Sequence, residues 1–465
     1  MKYDFGLVGL GVMGRNFILN VAGNGFSAIG LSSKRESIET LERDGKDFTV
    51  KGTDDTKEFI ESLSTPRKIM LLVPAGDPVD SVIDKFIPFL SPGDIIIDGG
   101  NSHFDDTERR YEKLKKLNLH FLGTGVSGGS KGARLGPSIM PGGDKEAYEV
   151  IKPIFERASA KVSGDPCVSL LGKTSAGHYV KMIHNGIEYA MMQLISEVYH
   201  ILRYGMNKSN EEIHQIFSSW NDGKLNSYLI EITGDIFNAK DGESDKHLID
   251  MILDKAKQKG TGKWTSQSAM DFGVAVPTID SSVSMRIISS FKDVRALGED
   301  IYPRQSSIDG GVDVEDLEKA LIYGFTICYA QGLSQLKVTS DEKGYSLDYK
   351  EICKIWRGGC IIRATLLEEF MNAFGRNSKL ENLIFDKEIS DMIRENESFA
   401  RKVSVFCINN KIPALALNST VSYLDAITQK QLPMNLIQAQ RDCFGEHTFE
   451  RLDKPGTFHN ENWQA

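Results

Sequence analysis

The 465-residue sequence predicts an open α/β domain at the N-terminus, followed by a large all-α domain and an extended C-terminal tail. Three observations lead there. Up to about Thr174, short apolar runs alternate with charged amphipathic stretches, the pattern of a parallel sheet with crossover helices. From Ala176 onward the apolar spacing changes to long helical periods with little that reads as strand. After Pro433, the residues Gly445, Pro455 and Gly456 punctuate a segment with few core-forming runs, which needs another surface to lie on. At roughly 150 residues per domain, the length accommodates this division, drawn at residues 1–175, 176–433 and 434–465.

Taken in order, the strands are predicted at Phe5–Val8, Ser27–Leu31, Lys68–Val73, Asp94–Asp98, Leu119–Leu122 and Val168–Leu170, most of them followed by Gly or Pro and then a helical pattern. The first helix is predicted over Arg15–Ala22, and the long helices of the second domain over Tyr179–Arg203, Val314–Thr339 and Tyr349–Phe374. No tandem repeat or low-complexity tract interrupts them.

The formal net charge of -9 opposes an extended footprint on nucleic acid, because a polyanion needs clustered positive charge. An anionic ligand must then be met by local basic residues. The six cysteines are scattered without a CxxC pair or a neighbouring histidine at zinc spacing, so they read as buried free thiols and no metal site is expected. A strand begins almost at the first residue, which leaves no room for a secretory leader. No apolar run approaches the roughly 18 residues of a membrane span. The expected setting is cytoplasmic.

The stretch Gly9-Leu10-Gly11-Val12-Met13-Gly14 lies between the first strand and the first helix, the context in which GxGxxG binds a dinucleotide. The first glycine allows the tight turn, the second lets backbone approach the pyrophosphate, and the third lets helix pack on strand. The N-terminal domain is accordingly Rossmann-like. The acidic residue that reads an unmodified adenosine ribose about 20 residues further on is missing. Ser32-Ser33-Lys34-Arg35 stands there instead, with hydroxyls and two cations suited to a 2′-phosphate, so the cofactor expected is NADP.

Lys181, His184, Asn185 and Glu188 share one face of a helix that is otherwise strongly apolar. Such a stripe is either a solvated face or a reaction centre. Lysine and glutamate two turns apart, roughly 10 Å, can manage protons at two carbons of one substrate, burial making the lysine a base and keeping the glutamate protonated. Two glycine-rich segments, Asp98-Gly99-Gly100-Asn101-Ser102 and Gly125-Val126-Ser127-Gly128-Gly129, follow strands. They are either ordinary turns or anion-facing loops at the carboxyl edge of the sheet. Gln258-Lys259-Gly260-Thr261-Gly262-Lys263 lacks the spacing of a nucleoside-triphosphate loop and reads as an exposed basic turn or a monophosphate contact. In the tail, Arg441 and His447 lie on a segment that cannot build its own core, and arginine suits phosphate.

Together the runs GLGVMG, IIIDGGNS, GVSGGSKGARLGPSIMPGG, GHYVKMIHNGIEY, QKGTGKWT, WRGGCIIR and LIQAQRDCFGEHT resemble the 6-phosphogluconate dehydrogenase family over essentially the whole chain. The wider hydroxyacid dehydrogenase superfamily shares, beyond the fingerprint, little more than Gly177, Lys181 and Asn185. The resemblance implies oxidative decarboxylation of 6-phospho-D-gluconate to D-ribulose 5-phosphate, a step of the oxidative pentose phosphate pathway. By it, Lys181 takes the 3-hydroxyl proton while hydride leaves C3 for NADP, then polarises the ketone as CO2 leaves, and Glu188 protonates C1 of the enediol. It further implies that Ser127, Gly128 and Gly129 hold the carboxylate and that Asn101, His184 and Asn185 hold hydroxyls. Tyr189, Lys259, Thr261 and Arg286 would hold the 6-phosphate, joined by Arg441 and His447 from the tail of a second subunit in a homodimer. Gly9 to Gly14, Ser32, Ser33, Lys34, Val73, Pro74, Ala75 and Asn101 would line the cofactor. Two departures stand out. Ser32-Ser33-Lys34 replaces the family's usual Asn-Arg-Thr, leaving Lys34 and Arg35 as the available cations, and Pro74 replaces a usual lysine.

Overall fold

The computed structural model describes residues 2–258, 260–303, 308 and 310–463. Its N-terminal part is built on a seven-stranded sheet: β1 (Phe5–Val8), β2 (Ala28–Leu31), β3 (Val50–Thr53), β4 (Lys68–Leu71), β5 (Ile95–Asp98), β6 (His120–Val126) and β7 (Ile139–Gly143). The spatial order is β3-β2-β1-β4-β5-β6-β7, parallel except for the antiparallel β6–β7 edge. Helices cover both faces, so the strands read as continuous apolar runs. Ile95 and Ile97 join one core and Ile96 the other, which is the period of two expected of a strand buried on both sides. The order reverses where β1 lies beside β4, with Gly6 level with Ile69. A crevice opens there beyond the carboxyl ends of the strands.

Two strands differ from the sequence reading. Val50-Lys51-Gly52-Thr53 is a half-polar edge without an apolar run, and Ile139-Met140-Pro141-Gly142-Gly143 carries the proline that only an edge or irregular strand tolerates. Both form strands through their neighbours. The predicted strand Val168–Leu170 is reduced to an isolated bridge from Val168 to Ile139.

The helical part is organised by the helix Ala176–His200, which continues into a wider turn over Ile201–Gly205. Its start is pressed onto the sheet at glycines. A Cβ on Gly177 would lie 2.2 Å from the Gly123 carbonyl oxygen, and one on Gly142 2.2 Å from the Gly177 nitrogen. A Cβ on Gly125 would collide with the Lys181 side chain, so this close approach brings Lys181 to the carboxyl edge of β6. The helix Val314–Lys343 runs antiparallel beside it, Gly324 against Leu194 and Gly332 against Ile187.

The single predicted helix over Tyr349–Phe374 is two helices, Tyr349–Trp356 and Leu366–Arg376. Gly358-Gly359 breaks it: Gly359 has φ +67, and its carbonyl accepts from the Ser138 amide at 2.7 Å, tying the break to the sheet domain. The tail also departs from the extended form expected, opening with the helix Met434–Gly445 before a short hairpin of Phe449–Glu450 with Thr457–Phe458. Asp442 holds it together by accepting from the amides of Thr448 (2.9 Å) and Asn460 (3.0 Å), His459 Nδ1 (2.9 Å) and Trp463 Nε1 (2.8 Å). Periodicity hid this helix because Leu436, Ile437 and Phe444 point to solvent and feed no core of their own chain. Five cysteines are buried as read, but Cys443, on the tail helix, is exposed. Among the described residues no helix is long and apolar enough to cross a membrane.

Candidate functional site

A cleft of ≈ 870 Å³ lies between the carboxyl edge of the sheet and the helix Ala176–His200. On the sheet side, Gly9 has φ +98, and an added Cβ would meet the Leu72 carbonyl oxygen at 2.5 Å. A Cβ on Gly14 would sit 1.9 Å from the Gly9 oxygen, whereas one on Gly11 would meet nothing within 4 Å. Two glycines are therefore required by the protein's own packing, and the third keeps an open space bare. That space faces the start of the helix Val12–Gly23, whose first amides have no side-chain cap. Bare backbone, free amides and the positive end of a helix fit a pyrophosphate. Val73, Pro74, Ala75 and Asn101 line the same cleft, as do Gly11 to Gly14. Leu10 is buried behind the turn.

At the end of β2, the Ser32 hydroxyl accepts from the Lys34 amide at 3.1 Å. Lys34 precedes the helix Arg35–Asp44 and its side chain is exposed, as is Ser33. Arg35 is engaged with Glu39 at 3.1 Å on the surface.

The polar stripe is enclosed, so it is not a solvated face. Lys181 is 6% exposed and His184 0%. Lys181 Nζ donates to Asn185 Oδ1 at 2.8 Å and lies 3.3 Å from His184 Nδ1. His184 Nδ1 is 3.1 Å from Asn185 Oδ1 and 3.9 Å from the Glu188 carboxylate, while its Nε2 meets the Ser127 hydroxyl at 3.2 Å. Trp356 packs edge-on against the imidazole at 5.8 Å. Burial pushes the Lys181 ammonium below the usual lysine range, against the pull of Glu188. Burial, with Lys181 alongside, puts His184 well below the usual range, so the ring is neutral. Burial also raises Glu188, against the opposing effects of Lys181 and Arg286. Burial thus pushes the amine toward its neutral form and the carboxyl toward its protonated form, opposite shifts suited to two proton-transfer agents in one cleft.

Farther along, the Arg286 guanidinium lies over the Tyr189 ring at 3.4 Å, and Thr261 starts the helix Thr261–Asp271 on the cleft wall. A Cβ on Gly262 would strike the Tyr189 ring, so this helix start is packed directly on the stripe. Ser127, Gly128 and Gly129 line the opposite wall, Gly128 at φ +107 against the Gly359 carbonyl. Lys259 lies outside the described residues. Arg441 and His447 are exposed, Arg441 bonded to Gln438 at 3.0 Å, and neither lines the cleft of its own chain. Met192, Trp264 and Ile361 line it without having been singled out in the sequence, where apolar side chains carry no mark of a binding wall. Arg110 escaped notice too, since the helix Phe104–Lys115 reads as an ordinary charged surface helix.

Comparison with known proteins agrees with this geometry. The family described as the NAD binding domain of 6-phosphogluconate dehydrogenase matches residues 4–172, and the one described as 6-phosphogluconate dehydrogenase, C-terminal domain, matches residues 177–463. The NADP(+)-dependent, decarboxylating 6-phosphogluconate dehydrogenase of Bacillus subtilis (strain 168) is 47% identical over 464 residues, 99% of each chain. The decarboxylating enzyme of Escherichia coli (strain K12) is 47% identical over 466 residues, again 99% of each. Plasmodium falciparum 6-phosphogluconate dehydrogenase, solved in its apo form and in complexes with its cofactor NADP+ and its substrate 6-phosphogluconate, superposes with a TM-score of 0.96 at 43% identity, covering 98% of this chain and 100% of the other. With the dinucleotide cradle, the enclosed lysine–glutamate stripe and these matches along its whole length, the chain belongs to the 6-phosphogluconate dehydrogenase family.

Proposed function

We propose that the chain catalyses the NADP-dependent oxidative decarboxylation of 6-phospho-D-gluconate to D-ribulose 5-phosphate and CO2, in the oxidative pentose phosphate pathway of the cytoplasm. The observation that carries the reading is the buried Lys181 and the partly buried Glu188 on one helix face, both in contact range of the neutral His184 and opening onto the cleft that holds the dinucleotide cradle. Bound NADP supplies the acceptor for hydride leaving C3. Lys181, which burial pushes toward its uncharged form, takes the proton from the 3-hydroxyl as the ketone forms. The lysine then returns that proton to the ketone oxygen while the C1–C2 electron pair moves toward it and CO2 departs. Glu188, which burial pushes toward its protonated form, delivers its proton to C1 of the resulting enediol as Lys181 takes back the proton of the neighbouring hydroxyl, which gives the 2-ketone. Ser127 with Gly128 and Gly129 would hold the carboxylate, and Asn101, His184 and Asn185 the hydroxyls. Tyr189, Thr261, Arg286 and Lys259 would hold the phosphate. The test is reduced-nicotinamide absorbance with NADP and 6-phosphogluconate. Absence of reduction in the purified full-length chain refutes the reading.

The same reading divides the chain into a cofactor domain (1–175), a substrate and dimerisation domain (176–433) and a tail (434–465) exchanged within a homodimer. Ile287, Phe291, Val294, Leu297 and Ile301 leave an apolar face exposed on two successive helices, more than scattered single residues, and a second subunit would cover it. The tail would then bring Arg441 and His447 to the partner's phosphate. Mixing Arg441→Ala with Lys181→Met subunits tests the exchange. Each variant alone is nearly inactive, while random re-association restores about a quarter of wild-type activity, because one site of each mixed dimer is then intact. No recovery on mixing would place Arg441 in its own chain's site.

The cradle makes a separate prediction. In Gly11→Ala the added methyl enters the space left for the cofactor and touches no protein atom. NADP affinity falls by roughly tenfold or more, about 1.4 kcal/mol, with an unchanged melting temperature. Unchanged affinity by fluorescence titration would remove Gly11 from the cofactor contact.

A further inference from the structure

We infer that Arg110, which lines no part of the cleft, is the positioning residue that holds its two cofactor-facing loops in register for hydride transfer; the inference rests on the reaction proposed above. The residue sits on a helix whose sequence, Asp105-Asp106-Thr107-Glu108-Arg109-Arg110, promises a solvated surface, yet its side chain is 0% exposed. A guanidinium has five N–H donors, and every one is used. Nε and Nη2 reach the two oxygens of Asp80 at 3.1 and 2.8 Å, and Nη2 also donates to the Gly76 carbonyl at 3.0 Å. Nη1 donates to Asp98 Oδ2 at 3.2 Å and to the Ser102 hydroxyl at 3.1 Å.

These acceptors lie at the ends of two different loops. Gly76, and Asp80 in the first turn of the helix Asp77–Phe86, close the loop that carries Val73–Ala75 after β4, while Asp98, the last residue of β5, and Ser102 flank Asn101 in the other. Asp98 accepts from the Gly100 amide at 3.1 Å and the Ser102 hydroxyl at 2.6 Å, so the backbone is gripped on both sides of Asn101. On its outer side Asp80 is held by Arg109 at 2.9 and 2.8 Å, which makes it a fixed anchor. One buried cation thus joins the two loops that present Pro74, Ala75 and Asn101 to the cleft. Stability alone does not call for this, since a well-packed apolar group often does as well as a buried ion pair. Bridging two loops needs a rigid fork with five donors, and lysine, with three donors on a flexible stem, cannot replace it.

The test compares Arg110→Lys and Ser102→Ala with the wild-type full-length chain. A displacement of about 1 Å by a change remote from the chemistry costs on the order of 10²-fold. Arg110→Lys is therefore expected to lower kcat by about that factor, to raise the isotope effect with substrate deuterated at C3, and to leave the KM for 6-phosphogluconate unchanged. Ser102→Ala, which removes one leg and keeps the fold, shifts kcat and the isotope effect in the same direction by less. NADPH fluorescence on binding reads the nicotinamide end without turnover, and its enhancement is expected to fall in both variants. A lowered melting temperature with wild-type kcat, isotope effect and fluorescence, in Arg110→Lys or, if that chain does not fold, in Ser102→Ala, overturns the inference. Failure of the wild-type chain to reduce NADP refutes the proposed reaction instead, and the fluorescence comparison still decides whether Arg110 sets the loops.

Discussion

Lys181→Met is expected to slow formation of reduced cofactor by roughly 10²- to 10⁴-fold, the range for loss of a positioned general base. Methionine keeps the length and apolar packing of the buried stem and removes only the amine. The variant should fold and melt at or above the wild-type temperature, because an amine that burial pushes toward its neutral form has been taken out of an enclosed site. The loss therefore falls on hydride transfer. Rapid mixing should show no first-turnover burst. The pH profile supplies a sign. Only the free amine accepts the hydroxyl proton, so kcat/KM falls on the acid side as Lys181 takes a proton, and burial moves that limb toward lower pH than an exposed lysine would give. In kcat, which includes the later protonation, an alkaline limb follows loss of the Glu188 proton, and burial moves that limb toward higher pH than an exposed glutamate would give. With His184 within 4 Å of both groups, the two apparent values belong to the coupled pair rather than to either residue.

Glu188→Gln separates the later step from the first. The amide keeps the shape and hydrogen-bonding of the protonated carboxyl but cannot deliver a proton. One equivalent of reduced cofactor and of CO2 should form in the first turnover at close to the wild-type rate, followed by a steady state slowed by roughly 10²- to 10⁴-fold. The alkaline limb of the pH profile should vanish, since the group that causes it no longer titrates. A Glu188→Gln chain with wild-type steady-state turnover and an intact alkaline limb would remove Glu188 from the proton chemistry and leave it a wall residue.

The parts of the site legible in the sequence are those whose geometry is local. The fingerprint between β1 and the first helix, and the spacing of Lys181, His184, Asn185 and Glu188, are set by strand-to-helix and helical geometry within a few residues. Burial of the stripe was indicated by its apolar neighbours. Features formed by approach from distant chain were not legible: Trp356 on His184, Ile361 in the wall, and the Gly358-Gly359 break docked on Ser138. Arg110 is the sharpest case, because a charge in a polar helix signals solvent until the two loops that enclose it are folded. Edge strands β3 and β7 failed for the complementary reason, being made by pairing rather than by their own pattern. In the tail, the helix Met434–Gly445 shows its apolar residues outward, and periodicity finds only faces that bury inside one chain.

The most direct test of the central claim measures NADPH and CO2 together as the purified wild-type chain consumes 6-phosphogluconate. Equal amounts of the two, formed with NADP and lost in Lys181→Met, are what the lysine–glutamate geometry predicts. Reduced cofactor without CO2, or no reduction at all, would contradict it.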